Sequence, residues 1–352
     1  MSARVCRSAD DGKMIKDNVL KTLLSAESFV SGQELCDALG VSRTSVWKAI
    51  EALRADGYKI EAVTNKGYLL VKDETADILN QEELERALET RWAGHPVVFK
   101  KETGSTNDDI MAMADEGAPQ GTLAVTVCQH AGKGRRGRVW LSPDVGNVYM
   151  SILLRPQMDP SRAPMLTLIM ALAVYEALQD MPYDRNKVRF GIKWPNDVVV
   201  SVDDGPYKKT CGILTEMRME EREIRDVTVG IGLNVNMTEF PEEIKETATS
   251  FALALGHPVR RAQFVADIWR HFENDCDVFL RDGDLEGLRP AYEAGLVNIG
   301  RAVRVLDPKG EYTGSAKGIT ADGELIVIPD GQKDPVYVGN GEISVRGVMG
   351  YV

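Results

Sequence analysis

The sequence predicts an α+β protein in three parts: a winged helix-turn-helix over residues 14–73, a mixed α/β domain over 95–285 and a small all-β barrel over 296–352. Three observations carry that reading. Residues 15–57 hold three short helical patterns and are followed at once by a hairpin pattern. From about residue 95, strand-like apolar runs alternate with helix-like ones, as a mixed α/β domain requires. Beyond Gly300, short strand-like runs are cut by turn-forming residues.

The first helix is read from Ile15, Val19, Leu20, Leu23 and Leu24, which fall on one helical face. Ser31 with Glu34 three residues on is a capping box. It opens a second helix with Leu35 and Leu39 inward and Gly40 at its end. Ser42 caps a third, whose inner face is Val46, Ile50 and Leu53 and which stops at Gly57. The turn between helices two and three is only Gly40-Val41. Tyr58–Val63 and Tyr68–Val71 flank Thr64-Asn65-Lys66-Gly67, whose Asn and Gly supply turn chemistry for a wing. Such a module lays its third helix in the DNA major groove. Ser42, Arg43, Thr44, Ser45, Trp47 and Lys48 on that helix, with Asn65 and Lys66 at the wing tip, are the candidate DNA contacts.

Lys72–Thr75 reads as a charged linker, and Asn80 with Glu83 caps the next helix. In the α/β part the expected strands are Val97–Lys100, Leu123–Cys128, Val148–Leu154, Val188–Trp194 and Val227–Gly232; the expected helices are Asp108–Glu116, Ala163–Leu178 and Gln263–Leu280. The barrel strands are parted by Asp307-Pro308-Lys309-Gly310, Asp322-Gly323 and Gly339-Asn340-Gly341.

Composition narrows the function. The net charge of −11 argues against a protein that coats nucleic acid without sequence preference. The excess is uneven: residues 1–75 carry 11 Lys and Arg against 11 Asp and Glu, and the remainder 31 against 42. A DNA-binding head on an acidic body fits that division. The five cysteines and four histidines show no CxxC, HxxxH or HExxH spacing, so neither a disulfide framework nor a protein-built metal site is signalled. The polar opening residues lack a signal region and no apolar run reaches spanning length, which places the protein in the cytoplasm, away from membranes.

Chemistry concentrates in Gln129-His130-Ala131-Gly132-Lys133-Gly134-Arg135-Arg136-Gly137-Arg138-Val139-Trp140. Its glycines formally satisfy GxGxxG, but that dinucleotide turn opens a helix, whereas Val139–Pro143 leads through a turn to a strand. A P-loop fails as well, because Gly137 is followed by Arg138-Val139 rather than Lys-Ser/Thr. What remains is a glycine loop with four cations and an aromatic, suited to folding over a polyanion.

This loop, together with Ser105-Thr106-Asn107, Lys193-Trp194-Pro195-Asn196-Asp197, the stretch Lys209–Glu216 and the stretch Gly230–Asn236, resembles the biotin protein ligases, in the family's own order. The resemblance covers nearly the whole chain. The winged helix matches the bifunctional ligase-repressor subgroup, and Gly341-Glu342-Ile343-Ser344-Val345-Arg346 looks like the end of its C-terminal, SH3-like barrel. One departure is Lys133, which stands where many relatives have Arg.

The resemblance implies a two-step reaction in a domain of the biotin/lipoate ligase type. The biotin carboxylate attacks the α-phosphate of ATP, with Mg²⁺ accompanying the nucleotide, and the biotinyl-AMP so formed acylates a lysine of a biotin carboxyl carrier protein. It assigns Lys209, Arg135 and Asp197 to catalysis, Asp197 with Asn196 standing where either a Mg²⁺-linked carboxylate or a base for the lysine amine is useful. Biotin is expected against Ser105, Thr106, Asn107, Gln129, Lys133, Gly134, Arg135, Lys209, Gly212 and Leu214. The adenylate is expected against Arg135, Arg136, Arg138, Trp140, Lys193, Asn196, Asn234 and Arg346. It further implies operator DNA as a partner and a homodimer formed once the adenylate is bound. The competing readings are a lipoate ligase and a biotin-sensing transcription factor without ligase activity.

Overall fold

The computed structural model describes residues 3–71, 76–307, 310–339, 343–347 and 351–352, with backbone alone for residues 3–11 and 13. The predicted linker Lys72–Thr75, the Pro308-Lys309 and Asn340-Gly341 turn residues and Glu342 lie outside the described residues. The chain forms two compact units, Met1–Glu83 and Leu84–Val352.

The first unit contains α1 (Ala3–Ser25), α2 (Gly32–Leu39), α3 (Arg43–Ala55), β1 (Ile60–Val63) and β2 (Gly67–Leu70). Its core is the predicted stripe, with Val19, Leu23, Leu35, Val46, Ile50 and Leu53 buried. The Ser31 hydroxyl accepts from Glu34 N while the Glu34 carboxylate accepts from Ser31 N, so both halves of the capping box form. The Ser42 hydroxyl accepts from Ser45 N at 3.1 Å. The two strands pair antiparallel around a tip where Asn65 takes φ 67°, a left-handed conformation that Asn tolerates. Of the residues expected to contact DNA, Arg43, Thr44, Lys48, Asn65 and Lys66 are exposed, and Trp47 is 55% exposed. Ser42 and Ser45 are instead committed to the cap, and Arg43 donates to Gln33 Oε1 at 2.9 Å.

The second unit opens with the end of α4 (Gln81–Ala87), whose Glu83 N is capped by Asn80 Oδ1 at 2.8 Å. There follow β3 (Val97–Lys100), α5 (Thr106–Asp115), β4 (Leu123–Thr126), β5 (Val148–Leu154), α6 (Met165–Asp180), β6 (Val188–Lys193), β7 (Asp197–Val202), β8 (Lys208–Glu220) and β9 (Glu223–Leu233). Next come α7 (Phe251–Leu255), α8 (Arg261–Asp282) and α9 (Arg289–Gly295). One seven-stranded sheet in the order β3-β4-β5-β9-β8-β7-β6 has a parallel first pair, and every other pair is antiparallel. The strands β7 and β8 were not among those expected from the sequence. Helix α5 packs on β5 and β9, and α6 packs on α8.

One expectation is corrected by α6. With the preceding turn it makes a 21-residue stretch, Pro160–Asp180, whose most apolar 18 residues have a mean hydropathy of 1.2, long and apolar enough by length and composition to cross a membrane. Its side chains have another solvent: Leu166, Leu168, Met170, Ala173 and Val174 are buried inside the unit.

The final strands β10 (Ala302–Asp307), β11 (Gly310–Ile319), β12 (Leu325–Pro329), β13 (Val336–Val338) and β14 (Ser344–Gly347) form an antiparallel sheet ordered β13-β12-β11-β10-β14. This small sheet belongs to the same compact unit as the α/β part. Trp194, fully buried after β6, donates from Nε1 to Gly323 O at 3.0 Å, and its backbone N donates to Asn298 Oδ1 at 2.9 Å.

Candidate active site

Two adjoining clefts lie at the ends of β6, β7, β8 and β9. The narrower encloses about 50 Å³ and is lined by Ser105, Thr106, Asn107, Gln129, Lys133, Gly134, Arg135, Trp140, Asn196, Lys209, Gly212, Ile213, Leu214 and Gly230–Gly232. The wider, about 640 Å³, is lined by Arg135, Arg136, Arg138, Trp140, Lys193, Asn196, Asp197, Lys209, Asn234, Arg346 and Tyr351 among others. All ten residues expected to meet biotin lie on the first, and all eight expected to meet the adenylate lie on the second. Gly134, Arg135, Trp140, Asn196 and Lys209 border both.

The polar wall of the narrow cleft is wired before any ligand arrives. Gln129 Oε1 accepts from Thr106 N at 2.9 Å and from the Thr106 hydroxyl at 3.2 Å, while Gln129 Nε2 donates to Ser142 Oγ at 3.0 Å. Asn107 donates to Glu216 at 2.5 Å and accepts from the Ser151 hydroxyl at 2.6 Å. Ser105 begins α5 without a side-chain cap bond, although Asp108 follows at capping distance, so its buried hydroxyl is left for another partner. Lys133 is paired with Asp108, which holds its ammonium above the ordinary range.

Local backbone features aim the cations. The β7·β8 register shifts between Val198 and Val199, so that Val198 faces Cys211 and Val199 faces Lys209, leaving Thr210 as an extra residue. Such a bulge re-aims a side chain. Lys209 forms an ion pair with Asp197 Oδ1 at 2.5 Å, whereas Lys208 next to it donates to Lys245 O at 2.9 Å, outside either cleft. Arg135, opening a one-turn 3₁₀ segment, reaches Asn196 Oδ1 at 3.0 Å and Ile343 O at 3.4 Å. Burial, with Arg136 and Arg138 adding to it, lowers the Arg135 pKa against the pull of Asp197.

Asp197 is buried at the floor and, among the described residues, is the one carboxylate lining the wide cleft. Burial disfavours its charge, yet Lys209, Lys193 and a hydrogen bond from Tyr351 hold it below the ordinary carboxylate range. Lys193 is also buried, and that burial brings its ammonium down to about 8 although Asp197 opposes the shift. Among the described residues, Arg135, Arg136, Arg138, Lys193, Lys209 and Arg346 stand against Asp197 alone, so the wide cleft is strongly cationic inside a chain of net charge −11. Such a cleft selects polyanions.

Trp140 lies across the boundary of the two clefts. A Cβ at Gly212 would come within 2.7 Å of its ring, and one at Gly232 within 2.4 Å of Nε1. Only glycines admit the indole there, and its buried Nε1 has no hydrogen-bond partner among the described residues.

Comparison with known proteins agrees with this geometry. A model of the biotin/lipoate A/B protein ligase family matches residues 101–234, an HTH domain model residues 16–69, and a biotin protein ligase C terminal domain model residues 299–346. The bifunctional ligase/repressor BirA of Bacillus subtilis is 38% identical over 305 residues, spanning 86% of this chain and 90% of that protein. The chain belongs to the biotin protein ligase family. The BirA of Escherichia coli is 30% identical over 94% of this ligase and 99% of its own length. A solved biotin protein ligase from Aquifex aeolicus, in complex with biotin and ATP, superposes with a TM-score of 0.57 at 28% identity, covering 71% of this chain and 98% of that one.

Several residues of the ligase cleft escaped the sequence reading. Ser142, Ser151 and Glu216 orient Gln129, Thr106 and Asn107, but each sits in a strand or turn whose partner is fixed only by sheet pairing. Tyr351 gave no sequence signal, being separated from Asp197 by 154 positions.

Proposed function

We propose that this chain is an ATP-dependent biotin protein ligase that forms biotinyl-5'-AMP and transfers biotin to a lysine of a biotin carboxyl carrier protein, and that its winged helix binds operator DNA as a biotin-responsive repressor. One observation carries the reading. Lys209, Arg135 and Asn196 stand where a small polar-walled pocket opens into a cationic cleft. That junction is where a carboxylate in the one must meet a phosphate in the other.

In the first step a biotin carboxylate oxygen attacks the α-phosphorus, and pyrophosphate leaves with the electrons of the broken P–O bond. Charge growing on the phosphoryl oxygens is met by Lys209 and Arg135, fixed donors in a partly dry cleft. In the second step the lysine amine bonds the acyl carbon and AMP departs. The amine proton passes to Asp197, the carboxylate nearest that junction. Mg²⁺ usually keeps several waters and travels on nucleotide phosphates. Asp197 is ion-paired with Lys209 at Oδ1 and accepts from Tyr351 at Oδ2, which suits it as a base; Mg²⁺ arriving with the nucleotide would neutralise phosphate charge.

The narrow cleft is too small for a bicyclic vitamin as it stands, since ligand pockets run to roughly 300–1,000 Å³. Trp140 therefore shifts on binding, into position over the adenine, and the glycine loop orders over the adenylate to exclude water. Loop ordering in turn favours pairing of two copies, presenting two winged helices to a palindromic site. Such a protein works in the cytoplasm, beside its ATP, its carrier and DNA.

The deciding assay mixes protein, ATP, biotin and a biotin carboxyl carrier domain. Biotinylated carrier with stoichiometric pyrophosphate supports the reading. Lipoylation in a parallel reaction with lipoate, or biotin binding without pyrophosphate, would replace it with one of the two competing functions.

A further inference from the structure

We infer that Tyr351 is a positioning residue of the ligase cleft, which pins the Asp197 carboxylate for the transfer step by donating to one oxygen while Lys209 holds the other. The inference rests on the ligase reading above. The C-terminal domain model ends at residue 346, so Tyr351 falls outside the stretch that the family describes.

The geometry is specific. The Tyr351 hydroxyl donates to Asp197 Oδ2 at 2.5 Å, and Lys209 Nζ sits 2.5 Å from Oδ1. The Tyr351 ring lies against Lys193, with Nζ 3.6 Å from its centroid, a cation–π contact that fixes the ring as well as the hydroxyl. The backbone is shaped for this placement: a Cβ on Gly347, at the end of β14, would meet the main chain of Val352 at 2.1 Å. A side chain at 347 would displace the segment that carries Tyr351.

A buried carboxylate with one oxygen unsolvated both rotates and resists ionisation. A hydroxyl donor at one oxygen and an ammonium beside the other oppose both faults, and an ionised carboxylate still has lone pairs free for an incoming amine. Tyr351 thus acts through Asp197, without touching the reacting atoms. The groups facing Asp197 are Lys209, Lys193 and Tyr351 in contact or near contact, the buried Cys211 thiol on the paired strand, and Arg135, Arg138 and Arg346 on the same cleft.

The test uses the full chain. Tyr351→Phe keeps the ring on Lys193 and removes only the hydroxyl. Preformed biotinyl-AMP is supplied, and single-turnover transfer to the carrier domain is followed against pH, beside the same measurement in Asp197→Asn and in the double variant. The expected result is an about tenfold slower transfer at every pH from about 6 to 9, since Lys209 and Lys193 keep Asp197 ionised and only its orientation is lost, with the half-saturating carrier concentration within twofold of wild type. In the Asp197→Asn background the same change should cost less than twofold, because the residue it positions is gone. A transfer rate within twofold of wild type, a faster transfer, or an equal loss in both backgrounds would overturn the inference. Failure of the wild type to biotinylate the carrier at all would instead overturn the ligase reading.

Discussion

Lys209 owes its position to the single extra residue in β8, and what it does there is measurable. Replacing it by Ala removes a charge from the α-phosphate and strands Asp197 in a buried site with one donor fewer. Adenylation, followed by pyrophosphate exchange, should fall by about 10² or more, as for loss of a transition-state contact. Lys193 offers a different signature. Its ammonium titrates at about 8 in the free protein because of burial, so above that pH it is largely neutral. ATP favours the charged form, so binding at pH 9 should take up a proton. Calorimetry in two buffers of different ionisation enthalpy reads this directly, and Lys193→Arg should abolish the difference. The same depression means that the unfolded chain, with Lys at its ordinary 10.5, holds more protons between about 8 and 10.5, so folding stability rises with pH across that window. Of the residues in the two clefts, those in contiguous motifs were legible from the sequence. Tyr351 was not, nor were the supporting contact of Ser151 and the part played by Glu216 at the end of the stretch Lys209–Glu216, because these come from segments brought together by the fold rather than from any local pattern.

At the level of elements, helix caps and amphipathic stripes were readable: Ser31, Ser42 and Asn80 each cap as their sequence neighbours indicate. Strands β7 and β8 were hidden for opposite reasons. Asp197–Val202 is buried on both faces for five of its six residues, so no alternation shows; Lys208–Glu220 carries cations and a bulge that break its period. The α6–α8 contact holds a buried acid that neither helix advertises. Asp275 is buried beside Glu176, and burial first, then that neighbouring charge, hold its carboxyl above the ordinary range. Around it His271 bridges Glu176 at 3.1 Å and Asp180 at 2.8 Å, and Arg270 pairs with Asp180 and Asp267. The folded chain therefore keeps a proton that the unfolded chain releases, and stability falls as pH rises above the ordinary Asp range. Asp275→Asn removes this penalty. Its melting temperature should match wild type near pH 4 and exceed it at pH 8 by about 2–4 °C per kcal/mol relieved, as calorimetry would show.

On the scale of the whole molecule, charge is divided by task. Residues 1–75 are balanced and expose Lys48 and Lys66, while the acidic excess lies in the remainder, which also holds the cationic cleft. For duplex DNA carrying the region upstream of its own gene, Lys66→Ala should weaken binding about equally at all sequences. It should also reduce the slope of log affinity against log salt by about one, the signature of one lost phosphate contact. A titration at several salt concentrations decides it; an unaltered slope would remove the wing tip from the interface.

The attachment of the small C-terminal sheet has a mechanical result. Trp194 and Asn298 fasten it to the end of β6, and Arg135 from the glycine loop touches Ile343 beside β14. Two halves riveted in this way cannot part like a clamshell to admit substrates. On the proposed reaction, shielding of a water-sensitive mixed anhydride would fall instead to the short stretch from Gly132 to Trp140, a flap of nine residues rather than a hinge.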